Sequence, residues 1–376
     1  MKSNLIAQEL LLKIVKCSYF NKCEDINVAL GYVSRLNTQE RHLLINQLIQ
    51  LLKMNKFSVT LLSDYEYFIR SIAMSNKFLH EVLEMDSQYM RKYLTILKHV
   101  IESLNRNDIS YVLIKHYLMQ HVKMLDIDIH ICDIDEILRA CEVLNELGAI
   151  FYDFRFFSHP LKLGTKIPSI DPLGEVSIEI YPEISVGRII VGPSCKFINE
   201  AVKVTITDKL NKKLDLRVLP TTENMYTILT HDWYSQTIPL TAIIYFLANV
   251  SKCKFNKLLQ LGEEYGTLPS VYTFLKLSYT LDKILQLGMI DENVHEMLEK
   301  MNFYGKTLIK RWIEELEKKL EFPVRVPYKF ILISMPYHIT KIARKASIIK
   351  VIYDVYSHFT PLLVYLYDLG KKYVHA

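Results

Sequence analysis

The chain has 376 residues, of which 50% are hydrophobic and 23% charged, with a formal net charge of +5. That balance excludes an extensively disordered chain, and the length allows two or three domains with a sizeable core. Gly is scarce at 11 and Tyr abundant at 24, which disfavours a glycine-rich phosphate loop and favours packed amphipathic helices.

The six cysteines, at 17, 23, 132, 141, 195 and 253, form no CxxC pair and no metal-ligand spacing. Free, mostly buried thiols in a reducing cytoplasm are the simplest expectation. Glu9 and Lys13 interrupt the first apolar stretch, so no secretory leader is expected. The apolar stretch 348–367 contains Lys350, Asp354, His358 and Pro361 and reads as buried or interfacial helices, not a membrane span. A cytoplasmic protein without membrane association is the expectation.

Residues 1–105 read as a helical region. Leu5, Leu10, Leu11, Ile14 and Val15 recur at helical spacing, as do Leu43, Leu44, Leu48, Leu51 and Leu52. Asn37 followed by Glu40 predicts a capped start for the second of these helices. A third amphipathic run covers 79–104.

From 106 to 219 the character changes. Residues 109–114 predict a short buried strand. Residues 125–131 alternate strictly, so a strand there puts Ile127, Ile129 and Ile131 on one face and Asp126, Asp128 and His130 on the other. Successive aspartates on that face stand ~7 Å apart along the strand, and like charges so placed are best tolerated beside a cation. A water-facing edge strand is the plainer account; His130, in line with the aspartates, can touch a substrate or, more ordinarily, be a strand-end surface histidine.

Asp133 or Asp135 can cap a helix that ends at Leu147 and Gly148. Residues 175–182 alternate again, with Val176, Ile178 and Ile180 opposite Ser177, Glu179 and Tyr181. A hairpin is expected from 202–206 and 214–219, and helices fill 220–376. His231 and Asp232 fall at a helix end, where they can face the cleft, or where the dipole simply favours a histidine, the more ordinary explanation.

Thirteen Lys/Arg against six Asp/Glu from 301 onward leave a local excess of seven positive charges. This basic end can contact a polyanion, with Lys341, Arg344 and Lys345 near Tyr337 and Tyr353, or can be a solvated helical surface.

The stretches YVLIKHYLMQ (111–120), LDIDIHI (125–131), ACEVLNELGA (140–149) and VSIEIYPEI (176–184) together resemble the nucleotidyltransferase superfamily with the DNA-polymerase-β-like palm. Within it they are most similar to uncharacterised bacterial and archaeal nucleotidyltransferase-like proteins. LPTTENMYTILTHDWY (219–234) is similar to that group's entry into its helical C-terminal half. The resemblance spans roughly 93–285 and implies an α+β fold, a small mixed-sheet palm flanked by helical N- and C-terminal regions.

It also implies Mg²⁺-dependent transfer of a nucleotidyl group from an NTP to an acceptor that is an RNA, a protein or a small molecule. Asp126, Asp128 and Glu179 would be the catalytic acids and the ligands of two Mg²⁺ ions. Active members carry Gly-Gly or Gly-Ser after the first strand, where this chain has Lys115-His116-Tyr117. Triphosphate contact would then fall to the side chains of Lys115, His116 or Lys123. The alternative is a catalytically inactive relative that binds a protein or nucleic-acid partner.

Overall fold

The computed structural model describes residues 2–24, 26–64, 77–117, 119, 121–153, 161–165, 176–186, 189–190, 192, 194–207 and 213–342. The N-terminal region holds α1 (Lys2–Phe20), α2 (Ile26–Arg35), α3 (Thr38–Met54) and the 30-residue α4 (Lys77–Arg106). Asn37 accepts from the Glu40 backbone while Glu40 reaches back to the Asn37 N–H, the predicted capping box.

The sheet region contains β1 (Val112–Leu113), β2 (Asp126–His130), α5 (Ile134–Glu146), β3 (Ala149–Asp153), β4 (Leu161–Thr165) and β5 (Ser177–Tyr181). A small ribbon of β6 (Ser185–Val186) and β7 (Ile189–Ile190), a short α6 (Ser194–Asn199), and the hairpin β8 (Val202–Thr207) and β9 (Lys213–Val218) follow. Asp133 caps α5 by accepting from the N–H groups of Asp135 and Glu136, and Gly148 stops it at φ 86°.

The C-terminal region comprises α7 (Thr221–Tyr234), β10 (Thr237–Ile238), α8 (Leu240–Ala248), α9 (Phe255–Glu264), α10 (Leu268–Leu285), α11 (Glu292–Lys300), α12 (Lys306–Glu317), β11 (Val324–Arg325) and α13 (Tyr328–Ile342). The architecture is mixed helix and strand, as expected. The expected helices beyond Ile342, with Arg344, Lys345 and Tyr353, lie outside the described residues. No helix among the described residues is long and apolar enough to cross a membrane.

Seven strands form one mixed sheet in the order β3-β4-β5-β2-β1-β9-β8, so the alternating strand β2 is central. It runs antiparallel to β1 and parallel to β5. Ile127, Ile129 and Ile131 join Ile178 and Ile180 in a core completed by Tyr93, Leu97 and Ile101 of α4 and Ile137 and Leu144 of α5. Burying the three β2-side isoleucines stabilises the strand by roughly 5–9 kcal/mol. A slip of one residue would turn the aspartates into that core, so the register is strongly specified. The opposite sheet face meets the larger core of the helical regions, which includes Val112, Ile114 and Tyr181.

The cysteines depart from expectation. Cys17 pairs with Cys23 and Cys132 with Cys195, at Cα separations of 4.4 Å and 5.2 Å. The first pair meets because the chain reverses after α1 at Asn21 (φ 54°), and the second ties the start of α6 to the residue two positions past the end of β2. Neither pairing is written in the cysteine spacing. Cys141 and Cys253 are free and buried, and burial pushes both thiols up to about 11.

Candidate functional site

The parallel pairing of β2 with β5 sets Asp126 beside Ser177 and Asp128 beside Glu179. Residues in register on neighbouring strands point to the same face, so Glu179 shares a face with both aspartates. Asp128 and Glu179 are direct neighbours. Asp126 lies one pleat repeat away at the strand's start, where Tyr93 donates its hydroxyl to the Asp126 carbonyl at 3.4 Å.

The turn after β1 closes over this face. The Ile114 N–H still donates to the Asp128 carbonyl at 3.1 Å, and Lys115 then adopts a left-handed φ of 53°. That conformation costs a side-chain-bearing residue about 1–2 kcal/mol and is where glycine is ordinarily found. It folds the lysine back onto β2. The Lys115 ammonium lies 2.8 Å from Asp128 Oδ1 and donates to the Tyr181 hydroxyl at 2.7 Å, sitting 4.3 Å above that ring. Tyr181 in turn donates to Glu179 Oε2 at 2.5 Å.

Burial first, and then the charges of Asp128 and Glu179, hold the Tyr181 phenol well above its ordinary range. It therefore stays a donor. The resulting relay, ammonium to phenol to carboxylate with a second carboxylate on the ammonium, is almost shut off from water, Lys115 being 8% exposed.

The neighbouring residues are fixed from α7. Asn224 accepts from the His116 N–H at 3.2 Å and donates to the His116 carbonyl at 2.8 Å, clasping the turn as a strand would. Tyr245 of α8 braces Asn224 at 3.1 Å and meets the Tyr117 ring edge-on. Burial depresses His116 to about 4, so its ring is neutral at pH 7.

His130 is fully buried, against the expectation of a surface histidine. Its Nδ1 lies 2.7 Å from the Tyr181 carbonyl, which can only accept, so Nδ1 carries the proton. The central position of β2 explains the burial, since both sheet faces there are covered.

The candidate residues are not all assembled. Asp128, Glu179 and Lys115 come together, and His116 lies beside them under the influence of Asp128. Lys123 is engaged elsewhere, 2.6 Å from the buried Asp86 and 4.5 Å over the Tyr89 ring. Asp86 also receives Ser58 and the Val59 N–H, so this pair anchors the loop that leads into β2.

A residue that sequence reasoning passed over lies nearby. Lys56, which follows α3, approaches the buried Asp232 at 3.4 Å, and no sequence pattern signals a contact across 176 positions.

Among the described residues no three of His, Cys, Asp and Glu converge as a metal-ligand set. Asp128 and Glu179 nonetheless offer hard oxygen donors side by side. Mg²⁺ commonly takes only one or two carboxylates, completing its shell with substrate phosphates and water, and this pair suits that pattern. Of the basic C-terminal side chains, Lys310 pairs with Glu299 at 2.7 Å, Lys319 with Glu321 at 3.2 Å and Lys341 with Glu263 at 3.9 Å.

No family model and no curated protein sequence matches the chain.

Proposed function

We propose that the protein is a Mg²⁺-dependent nucleotidyltransferase whose palm is the sheet built around β2. The observation that supports this reading above all is the in-register pairing of Asp128 with Glu179 on parallel strands, with Asp126 on the same face. Asp128 and Glu179 would hold the metal, with Asp126 at the mouth. When bound there, Mg²⁺ supplies charge neutralisation for the polyphosphate and polarises the α-phosphate.

The chain's own residues do the rest. The acceptor hydroxyl attacks the α-phosphorus and pyrophosphate leaves, while the hydroxyl proton passes to the Glu179 carboxylate. Tyr181 keeps that carboxylate oriented, and its ring walls one side of the site. Lys115 is the counter-ion of Asp128, and its ammonium would be released toward phosphate if a divalent cation occupied the carboxylates. The acceptor, whether RNA, protein or small molecule, is left open by these residues.

A second reading has an observation in its favour. The ammonium of Lys115 already neutralises Asp128, so the sheet can persist without a metal as a binding module for a protein or nucleic-acid partner.

Calorimetric titration with each of the four NTPs, with and without Mg²⁺, separates the two. The first reading expects metal-dependent binding that Asp126→Asn with Asp128→Asn abolishes. Absence of binding for all four leaves the binding module.

A further inference from the structure

Cys132 and Cys195 join the end of β2 to a helix that follows β5. Cys132 comes directly after Ile131, whose N–H donates to the Tyr181 carbonyl at 3.1 Å, and His130 Nδ1 donates to the same carbonyl at 2.7 Å. These two bonds hold the end of β2 to the end of β5, where the Tyr181 hydroxyl orients Glu179. Cys195 is the second residue of α6, which the chain reaches from β5 through the β6–β7 ribbon. The bridge spans 63 positions and so encloses α5, β3, β4 and β5, the strand that bears Glu179.

Access to the two sulfurs is unequal. Cys195 is exposed, while Cys132 is half-buried against the larger core. A thiolate attacks the disulfide sulfur that it can reach, and exposed bridges are the labile ones. The short helix α6 is also fixed by the buried Phe197 and Ile198 and by Glu200, which lies 3.0 Å from the Lys257 ammonium. The side chains of that ion pair are 32% and 31% exposed, and pairs so open to water hold weakly. The two remaining thiols, Cys141 and Cys253, are buried and pushed up to about 11, so neither supplies a thiolate that would scramble the bridge.

We propose that the Cys132–Cys195 bridge is a thiol-exchange site, opened at Cys195 by an external dithiol, that controls how firmly the end of β2 is held to β5. A thiolate of the dithiol bonds to Cys195 Sγ as the Cys195–Cys132 bond breaks, and the electron pair leaves on Cys132 Sγ, which takes a proton. The second thiol of the reductant then displaces Cys195 and closes its own disulfide. The dithiol gives up two electrons and two protons, and the protein gains two thiols. The site serves the acidic face whether that face transfers nucleotides or binds a partner.

The test equilibrates the folded, full-length protein with mixtures of reduced and oxidised dithiothreitol, quenches with N-ethylmaleimide and maps the labelled cysteines by mass spectrometry. Cys132 and Cys195 should be labelled without denaturant, Cys141 and Cys253 should stay unlabelled, and re-oxidation should restore the bridge. With the monothiol cysteamine the mixed disulfide should form on Cys195. Amide exchange at Ile131 should quicken at least about tenfold on reduction, since opening a loop of this length shifts an opening equilibrium by up to about a thousandfold. The helices of the C-terminal region should keep their protection. A Cys17→Ser, Cys23→Ser variant, which lacks the other bridge, should respond in the same way; if it does not fold, the wild-type map, read residue by residue, carries the result.

A bridge that resists dithiothreitol until urea is added, or a mixed disulfide on Cys132, overturns the exchange site. Ile131 exchange unaltered by reduction, or protection lost throughout the chain, overturns the control of the β2–β5 junction.

Discussion

Replacing Lys115 by methionine keeps the stem and the left-handed backbone but removes the charge that faces Asp128. Both side chains of that pair are only 10% exposed, so water screens the interaction weakly. Removing one partner of a buried pair leaves the other charge uncompensated, at a cost of about 3–5 kcal/mol. Lys115→Gly loses the same pair but relaxes φ 53°, recovering about 1–2 kcal/mol, so it should be the less damaged of the two.

A divalent cation that can take the place of the ammonium should rescue both variants. At a hundredfold excess over its dissociation constant, Mg²⁺ would restore about 2.7 kcal/mol. Urea unfolding of wild type and both variants, with and without Mg²⁺, reads all three quantities. If Lys115→Met is as stable as wild type without metal, the ammonium is not compensating the acids. If Mg²⁺ stabilises neither variant, the carboxylate pair is not a cation site.

Two further expectations follow from the turn beside Lys115. Asn224→Ala orphans the buried N–H and carbonyl of His116 and should cost about 2–4 kcal/mol; unchanged hydrogen-exchange protection at the His116 amide would show that the clasp is not what holds the turn. His116 bears on pH. Above about 6.5 it is neutral folded and unfolded. Between about 6.5 and the folded value of about 4, only the unfolded chain takes the proton, so stability falls as pH falls by up to about 3 kcal/mol. His116→Gln should flatten that part of the urea-midpoint profile, and an identical slope in the variant would place the cause elsewhere.

Much of the frame was legible because it is written in local patterns. The alternation of Asp126 to His130, the Asp133 cap, the Gly148 stop and the Asn37–Glu40 box each act within a few residues, and the structure shows each. The hairpin β8–β9 was visible for the same reason. What the sequence hid depends on topology. His130 reads as a surface histidine until β2 is known to be central and covered on both faces. Lys123 reads as a neighbour of the aspartates, yet it belongs to Asp86, 37 residues away. The clasp of Asn224 on His116 and the approach of Lys56 to Asp232 bridge 108 and 176 positions, beyond any periodicity.

Helix α7 has almost no side that faces water: from Thr222 to Trp233 only His231 escapes burial. Its polar residues point inward on every side, Asn224 to the turn after β1, Asp232 to Lys56, and Glu223 to Lys257. Such a helix is an axle rather than a wall. The compositional seam near residue 219 is therefore a poor place to cut. Separated halves would each present a raw, half-polar scar, behaving as split fragments that regain order only on mixing. Any inheritance of the sheet by another protein would have had to carry α7 with it.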